Sequence, residues 1–198
     1  VLCLVGSEMC IRDRYKRAIK EKNEWDAYVE KQSGPTNQEE PSYAHAVGAV
    51  YRNSDPSDIV VTAAGGLVGE VVQVWKPKQL NTFETEWGFS CMGYEISGAL
   101  GIKMAKPDQD VVVFVGDGSY LLNNTDIYSS VIYDQKLIII ICDNGGHMVI
   151  NRLQLAKGGK EYICNLRAAR ATNLKFVDFE NHAKSMGANA ETVSSTSE

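Results

Sequence analysis

The pattern of apolar and polar positions predicts short buried strands that alternate with helices. Largely apolar runs rich in β-branched residues lie at 58–64, 111–115 and 137–142, and such runs are typical of parallel strands buried on both faces. A shorter alternating segment at 82–87 predicts one more strand. Strands and helices in alternation predict an α/β fold, with a doubly wound, mostly parallel sheet and helices on both faces.

Apolar residues at helical spacing predict amphipathic helices around these strands. Gly34-Pro35 is expected to end the first helix. Asp178 as the N-cap and Gly187 as the stop delimit the last helix. His45 lies on the second helix, where a lone histidine is interpreted as structural or exposed. The predicted helices cover 15–32, 43–52, 92–105 and 178–186.

The same patterns predict one main domain preceded by a connector. Residues 1–14 differ from the rest and are similar to a translated sequencing adaptor, so we expect a non-native or disordered leader. Residues 15–40 are predicted to form a helical connector, and residues 41–198 the main domain, which we expect to be truncated at its C-terminus. Within that domain, 151–170 is interpreted as a basic surface loop and 188–193 as the start of another strand.

Composition narrows the class of protein. A length of 198 residues, a net charge of −5 and 44% hydrophobic residues are typical of a soluble globular protein. The balance of charge does not suggest nucleic-acid binding, and no apolar run approaches the roughly 18 residues of a membrane span. The five cysteines lack the spacing of a zinc site or a disulfide framework, so we expect reduced thiols and a cytoplasmic location.

Two of the predicted strand-end turns carry groups that suit a metal-bound diphosphate. Asp117 in the turn GDGS (116–119) offers a carboxylate, and Asn144 in the turn DNGG (143–146) offers an amide oxygen. Both are hard ligands that suit magnesium. The glycines leave backbone N–H groups free to face phosphate, and a helix expected to begin near Leu122 adds its positive end. Ligands of open α/β sheets bind beyond the carboxyl ends of strands, so both turns are expected at one edge.

This arrangement resembles the fingerprint of thiamine diphosphate enzymes. Asp117 and Asn144 are 27 positions apart, similar to the family, although the usual Asn-Asn pair is Asp143-Asn144 in this chain. The resemblance implies that Asp117, Asn144 and the carbonyl of Gly146 coordinate Mg²⁺. The strand-end turn at 65–67 is expected to face the diphosphate as well, with a plain turn as the alternative. The further residues placed on the cofactor are Gly65, Gly66, Leu67, Gly116, Gly118, Ser119, His147 and Met148.

A second part of the resemblance concerns Met92 in the segment CMGY (91–94). In the family, a bulky apolar side chain in such a turn wedges under the cofactor and bends it into a V. Met92 has a similar position, and the backbone carbonyl of Ser90 would then accept a hydrogen bond from the pyrimidine amino group. The alternative role for Met92 is that of a core gap-filler. For His147, contact with phosphate, contact with substrate and lining of the pocket mouth all stay open.

The segments EWGFSCMGYEI (86–96) and CDNGGHMVINRLQ (142–154) resemble trihydroxycyclohexane-1,2-dione hydrolases of inositol catabolism more than acetolactate synthases. This resemblance implies hydrolytic cleavage of a carbon–carbon bond in a cyclic 1,2-dione to give 5-deoxy-D-glucuronate. Two alternatives stay open, namely a carboligase or decarboxylase that acts on a 2-keto acid and a non-catalytic thiamine diphosphate-binding domain.

The activating glutamate of this family lies on a separate pyrimidine-binding domain. No residue of the chain is assigned to that role, since the candidates Glu70, Glu84, Glu86 and Glu95 are interpreted as structural or peripheral. The chain alone is therefore expected to be inactive. Its expected partners are the small-molecule substrate, the pyrimidine-binding domain and further copies in a homodimer or homotetramer.

Overall fold

The computed structural model describes residues 2–36, 41–168, 170 and 176–195. Parts of the predicted leader, connector, basic loop and main domain therefore lie outside the described residues, at 1, 37–40, 169, 171–175 and 196–198. A 3₁₀ turn covers Leu166–Ala168. The strands are β1 (Ile59–Thr62), β2 (Phe83–Thr85), β3 (Val111–Gly116) and β4 (Ile138–Cys142). The helices are α1 (Leu2–Ser33), α2 (Tyr43–Arg52), α3 (Leu67–Val74), α4 (Tyr94–Ala105), α5 (Asp117–Leu122), α6 (Asp126–Ile132), α7 (Met148–Ala156) and α8 (Phe179–Ser185).

The four strands form one parallel sheet in the order β2-β1-β3-β4. Val60 is in register with Val112, and Gly116 at the end of β3 is in register with Cys142 at the end of β4. The carboxyl ends of β3 and β4 therefore lie level at one edge of the sheet. The four apolar or alternating segments of the sequence are all strands, as predicted.

Helices cover both faces of the sheet, because successive side chains of a strand point to opposite sides. Val60, Val112 and Phe114 pack with residues of α1, α2 and α3 on one face. Val61, Val113 and Val115 pack with residues of α4, α5 and α6 on the other. Two apolar cores thus enclose the sheet, and the predicted α/β fold with helices on both faces is confirmed.

β4 differs from the prediction of a strand buried on both faces. Its first four residues are half-buried and only Cys142 is buried, whereas five of the six residues of β3 are buried. β4 is the last strand of the described sheet and pairs with β3 alone. An apolar run cannot distinguish a central strand from such an edge strand, because its composition suits both.

Several helix boundaries also differ from the predictions. The helix expected to begin near Leu122 instead ends there, since α5 begins at Asp117. α4 begins at Tyr94, two residues later than predicted, because Gly93 before it has a left-handed φ of 92°. α7 extends to Ala156, so the first part of the predicted basic loop is helical. Residues 188–193 do not form a strand.

Other predictions of helix position are confirmed. α2 has the predicted bounds, and its Ser42 and His45 form a capping box in which each side chain bonds the other's backbone N–H. His45 is therefore structural, as interpreted. Asp178 caps α8 through the N–H of Asn181. α1 is continuous across residue 15, where the boundary between the leader and the connector was predicted.

None of the helices in the described ranges is both long enough and apolar enough to cross a membrane. Among the cysteines whose side chains are described, Cys91, Cys142 and Cys164 are free thiols. Burial raises the pKa of Cys142 to about 12, so this thiol is an inert part of the core.

Candidate functional site

The turns after β3 and β4 lie side by side at the carboxyl edge of the sheet. The backbone N–H of Gly146 donates to Oδ2 of Asp117 across 2.7 Å. Asp117 is buried at the first position of α5, directly after the end of β3. The two residues are 29 positions apart in the chain, and the parallel pairing of β3 with β4 brings them together. The predicted juxtaposition of the two turns is thus present.

The electrostatics at Asp117 favour a cation. Burial raises the pKa of Asp117, and the neighbouring carboxyl of Asp143 raises it further, against the lowering effect of the N–H groups of Gly146 and Gly118. Among the described residues, neither Asp117 nor Asp143 takes part in an ion pair. An ionised carboxylate that is buried beside a second carboxylate is costly, and either protonation or a bound cation removes that cost.

Three glycines leave open space along this edge of the sheet. Gly65 follows β1, Gly116 ends β3 and Gly145 follows β4, and an added Cβ would meet no atom within 4 Å at any of them. These three strands are neighbours in the sheet. Gly65 and Gly145 also have left-handed φ values of 80° and 81°, which glycine adopts at little cost. The edge therefore exposes backbone that a phosphate group can approach.

The start of α7 lies over these turns. The imidazole of His147 packs against Gly118, since a Cβ on Gly118 would be 2.6 Å from Nδ1. Arg152 of α7 lies beside Gly66, where an added Cβ would be 2.7 Å from Nη2. The side chain of Leu67 is buried in the core, so the contact predicted between Leu67 and the diphosphate would be through its backbone. Arg152 was not among the site residues predicted from the sequence, because a single arginine in a basic segment does not indicate a binding site.

The predicted metal ligands of the second turn have other contacts as well. The amide Nδ2 of Asn144 donates to the hydroxyl of Tyr43 on α2, which leaves the amide oxygen for another ligand. The carbonyl of Gly146 accepts the N–H of Met148 at 3.0 Å. A carbonyl oxygen has two lone pairs, so this bond is compatible with a second partner.

The segment predicted to hold the wedge is an exposed loop with defined geometry. The carboxylate of Glu86 accepts the N–H groups of Phe89 at 2.9 Å and Cys91 at 2.7 Å, and these bonds lower the pKa of Glu86. Ser90 has a left-handed φ of 52°. Met92 is 38% exposed, so it does not fill the core, and the gap-filler alternative is wrong.

Glu95, interpreted from the sequence as structural or peripheral, is structural and not peripheral. It is 1% exposed, and its carboxylate accepts hydrogen bonds from the turns after β1 and β3. A sequence signal for this existed. Glu95, Ile96, Ala99 and Leu100 form the buried face of α4, so a carboxylate stands at a helical position whose neighbours are apolar.

Comparison with known proteins agrees with this geometry. Residues 63–198 match the family model described as thiamine pyrophosphate enzyme, C-terminal TPP binding domain. The chain belongs to this family, and thiamine diphosphate is the cofactor of its class.

Two curated relatives are both named 3D-(3,5/4)-trihydroxycyclohexane-1,2-dione hydrolase. The relative from Lacticaseibacillus casei is 38% identical over 169 residues, which are 85% of this chain and 26% of that protein. The relative from Halalkalibacterium halodurans is 34% identical over 187 residues, or 94% of this chain and 29% of that protein. The chain thus spans between a quarter and a third of the length of these relatives.

Proposed function

We propose that the chain binds thiamine diphosphate through Mg²⁺ at the carboxyl edge of the sheet, as the diphosphate-binding part of a hydrolase that cleaves a carbon–carbon bond in a cyclic 1,2-dione. The observation that carries the proposal is the 2.7 Å bond between Gly146 and the buried carboxylate of Asp117. It holds together the two turns whose side chains and carbonyl offer oxygen ligands.

The residues present fit the magnesium ion and the diphosphate. Asp117, Asn144 and the carbonyl of Gly146 supply oxygen ligands of the kind that Mg²⁺ prefers. The uncompensated carboxylates of Asp117 and Asp143 supply the negative charge. The glycines that surround them leave room for phosphate oxygens. The residues proposed to contact the cofactor are Gly65, Gly66, Leu67, Gly116, Gly118, Ser119, His147 and Met148, with Ser90 and Met92 at its other end.

When bound, thiamine diphosphate supplies the electron sink for carbon–carbon cleavage. In our proposal the side chains of this chain hold and orient it. Asp117 and Asn144 fix the metal, His147 covers the GDGS turn, and Met92 presents an apolar surface 38% exposed beyond the start of α4. A proton acceptor that activates the cofactor would come from the pyrimidine-binding domain of a longer protein, in a homodimer or homotetramer.

The proposed substrate is trihydroxycyclohexane-1,2-dione, and the proposed setting is the cytoplasmic catabolism of myo-inositol. The names of the relatives support this substrate class, as do the segments around Met92 and His147.

Cofactor binding is tested by calorimetric titration of the chain with thiamine diphosphate, with and without Mg²⁺. Heat that requires Mg²⁺ and is lost in Asp117→Ala is expected, with circular dichroism as the check that the variant is folded. A folded wild-type chain that binds no cofactor would contradict the proposal.

The reaction is tested separately in a chimera, in which this chain replaces the matching segment of the Lacticaseibacillus casei relative. Consumption of the cyclic dione without turnover of pyruvate is expected. Turnover of pyruvate instead would favour the carboligase or decarboxylase. A chimera that binds the cofactor and turns over neither compound would favour a non-catalytic binding domain.

A further inference from the structure

We propose that Glu95 is a positioning residue that sets the spacing between the two ends of the thiamine diphosphate site. This inference rests on the proposed function and deepens it. Glu95 does not touch the reacting atoms in this proposal. It acts through the backbone segments that would hold the wedge at one end of the cofactor and the diphosphate at the other.

The carboxylate of Glu95 lies where three strand-end segments meet. Its Oε1 accepts the N–H of Ala64 at 3.2 Å, and its Oε2 accepts the N–H of Gly93 at 2.9 Å. The hydroxyl of Ser119 is 2.9 Å from Oε1 and 2.8 Å from Oε2. The same hydroxyl oxygen accepts the N–H of Gly93 at 2.8 Å. One side chain thus bonds to Gly93, which is close to it in sequence, and to two segments that are distant in sequence.

Each of these segments adjoins a residue of the proposed cofactor site. Ala64 directly precedes the open Gly65, Gly93 directly follows the wedge Met92, and Ser119 is the last residue of the GDGS turn. One carboxylate and one hydroxyl thus join the wedge to the diphosphate turn, beside the 3.2 Å bond from Nδ2 of Asn123 to the carbonyl of Gly93.

Burial makes the geometry of this hydrogen-bond network sensitive to small displacements. Glu95 is 1% exposed and Ser119 is 3% exposed, and Glu95 forms no ion pair within the part of the chain that is described. A buried carboxylate is costly unless hydrogen bonds satisfy it. Here each oxygen accepts one backbone N–H, and bonds to a charged acceptor are stronger than neutral ones. Small shifts of any of the three segments would break this pattern.

A glutamine cannot replace the carboxylate. Its amide has one acceptor oxygen and one donor NH₂ group. In either orientation the NH₂ group would face a backbone N–H, that of Ala64 or that of Gly93. Ala64 would lose its acceptor in one orientation, and in the other Gly93 would keep only the hydroxyl of Ser119, so the turn that is affected is expected to move. Glu95→Gln therefore changes the geometry of the site with almost no change of side-chain size.

The test compares two ligands that differ in how much of the proposed site they occupy. Thiamine diphosphate with Mg²⁺ spans both ends of the proposed site, whereas inorganic pyrophosphate with Mg²⁺ occupies the diphosphate end alone. Calorimetric titrations are made on the wild-type chain, Glu95→Gln, Ser119→Ala and the matched control Glu84→Gln. Glu84 is exposed on β2. Circular dichroism verifies that each variant is folded.

Glu95→Gln is expected to weaken thiamine diphosphate binding by about tenfold or more, in line with the loss of a buried charge-assisted bond. Its pyrophosphate affinity should change by less than about threefold, because the metal ligands of the diphosphate end are intact. Ser119→Ala should show a smaller loss with the same preference, because the hydroxyl of Ser119 is engaged by Glu95 and Gly93 and the contact proposed between Ser119 and the diphosphate is through the backbone. If Glu95→Gln does not fold, Ser119→Ala is the variant that decides the test. Glu84→Gln should match the wild type.

A merely structural role would weaken both ligands equally, and that result, or no change in either, would overturn the positioning role. The two proposals can also be separated. If the wild-type chain binds neither ligand, the proposed function is wrong and the inference on Glu95 is wrong with it. If the wild-type chain binds both and Glu95→Gln matches it, only the inference on Glu95 is wrong.

Discussion

The amide nitrogen of Asn144 donates a hydrogen bond to the hydroxyl of Tyr43, which joins the turn after β4 to α2 across 101 positions of the chain. This bond determines which side of the amide is available. Because the nitrogen is engaged by Tyr43, the oxygen can serve as the metal ligand that our proposed function requires.

Tyr43→Phe removes only the hydroxyl that accepts this bond. The half-buried ring keeps its packing against the core, so the free energy of unfolding should change little. Mg²⁺-dependent affinity for thiamine diphosphate should fall by roughly threefold to tenfold, the value of one hydrogen bond. Calorimetry measures this affinity, with Tyr51→Phe on the same helix as the control. Equal affinity in both variants would show that cofactor binding does not depend on the hydrogen bond between Asn144 and Tyr43.

Asp117→Asn is expected to increase the stability of the chain and to abolish its cofactor binding. The carboxylate is buried beside Asp143, so a neutral amide of the same size should raise the free energy of unfolding of the cofactor-free chain by roughly 1 kcal/mol at neutral pH. The same change should abolish Mg²⁺-dependent cofactor binding. Urea denaturation and calorimetry measure the two effects. A variant that is less stable than the wild type would mean that the charge-assisted bond from Gly146 outweighs the cost of burial.

Gly146→Ala and Gly145→Ala form a matched pair in the turn after β4. Gly146 has a φ of 133°, and a Cβ there would be 2.5 Å from the backbone carbonyl oxygen of Cys164. Gly145 has a φ of 81° but open space around it. Gly145→Ala should cost about 1 kcal/mol for the left-handed backbone alone. Gly146→Ala should cost roughly 2–4 kcal/mol, because strain and overlap add. Urea denaturation at neutral pH compares them, and equal losses would argue against the overlap with Cys164.

Met92→Ala tests the wedge. Its side chain is 38% exposed, and that of Met104 at the other end of α4 is 56% exposed, so both truncations should change stability by less than about 1 kcal/mol. Only Met92→Ala should weaken thiamine diphosphate binding, while pyrophosphate binding stays as in the wild type. Calorimetry with both ligands measures this. A loss of pyrophosphate affinity would place Met92 at the diphosphate end instead.

The cap of α8 predicts a pH dependence of stability. The N–H of Asn181 holds the pKa of Asp178 below its ordinary value of 3.8. Because this pKa is lower in the folded state, the cap stabilises the fold fully at pH values above 3.8. The stabilisation is lost as the pH falls through the lower pKa of the folded state. The difference in unfolding free energy between the wild type and Asp178→Ala should therefore be constant near neutral pH and shrink in acid. A difference that persists in acid would show that the cap acts without its charge.

The strands and α2 could be predicted because their signals are local. Runs such as 111–115 combine β-branched residues with a turn at the end, and the residues that form α2 lie within 10 positions of one another. The start of α5 was not predictable in the same way. Its six residues begin directly at Asp117, where the glycines of the motif weaken any helical pattern.

Glu95 shows the other limit of prediction. Its position on the apolar face of α4 was visible in the sequence, but its partners Ala64 and Ser119 lie 31 and 24 positions away. Which groups reach a buried carboxylate depends on how α4 packs against the ends of β1 and β3, and spacing along the chain does not contain that information.

The sequence by itself determined the α/β class, the two glycine-rich turns and the separation of Asp117 from Asn144, because each depends on residues that are close along the chain or on the period of a strand. Tertiary structure alone decided the strand order β2-β1-β3-β4, the bond between Asn144 and Tyr43, and the meeting of three segments at Glu95. These depend on contacts across the sheet, where the loss of chain entropy is offset only once the helices have packed on both faces.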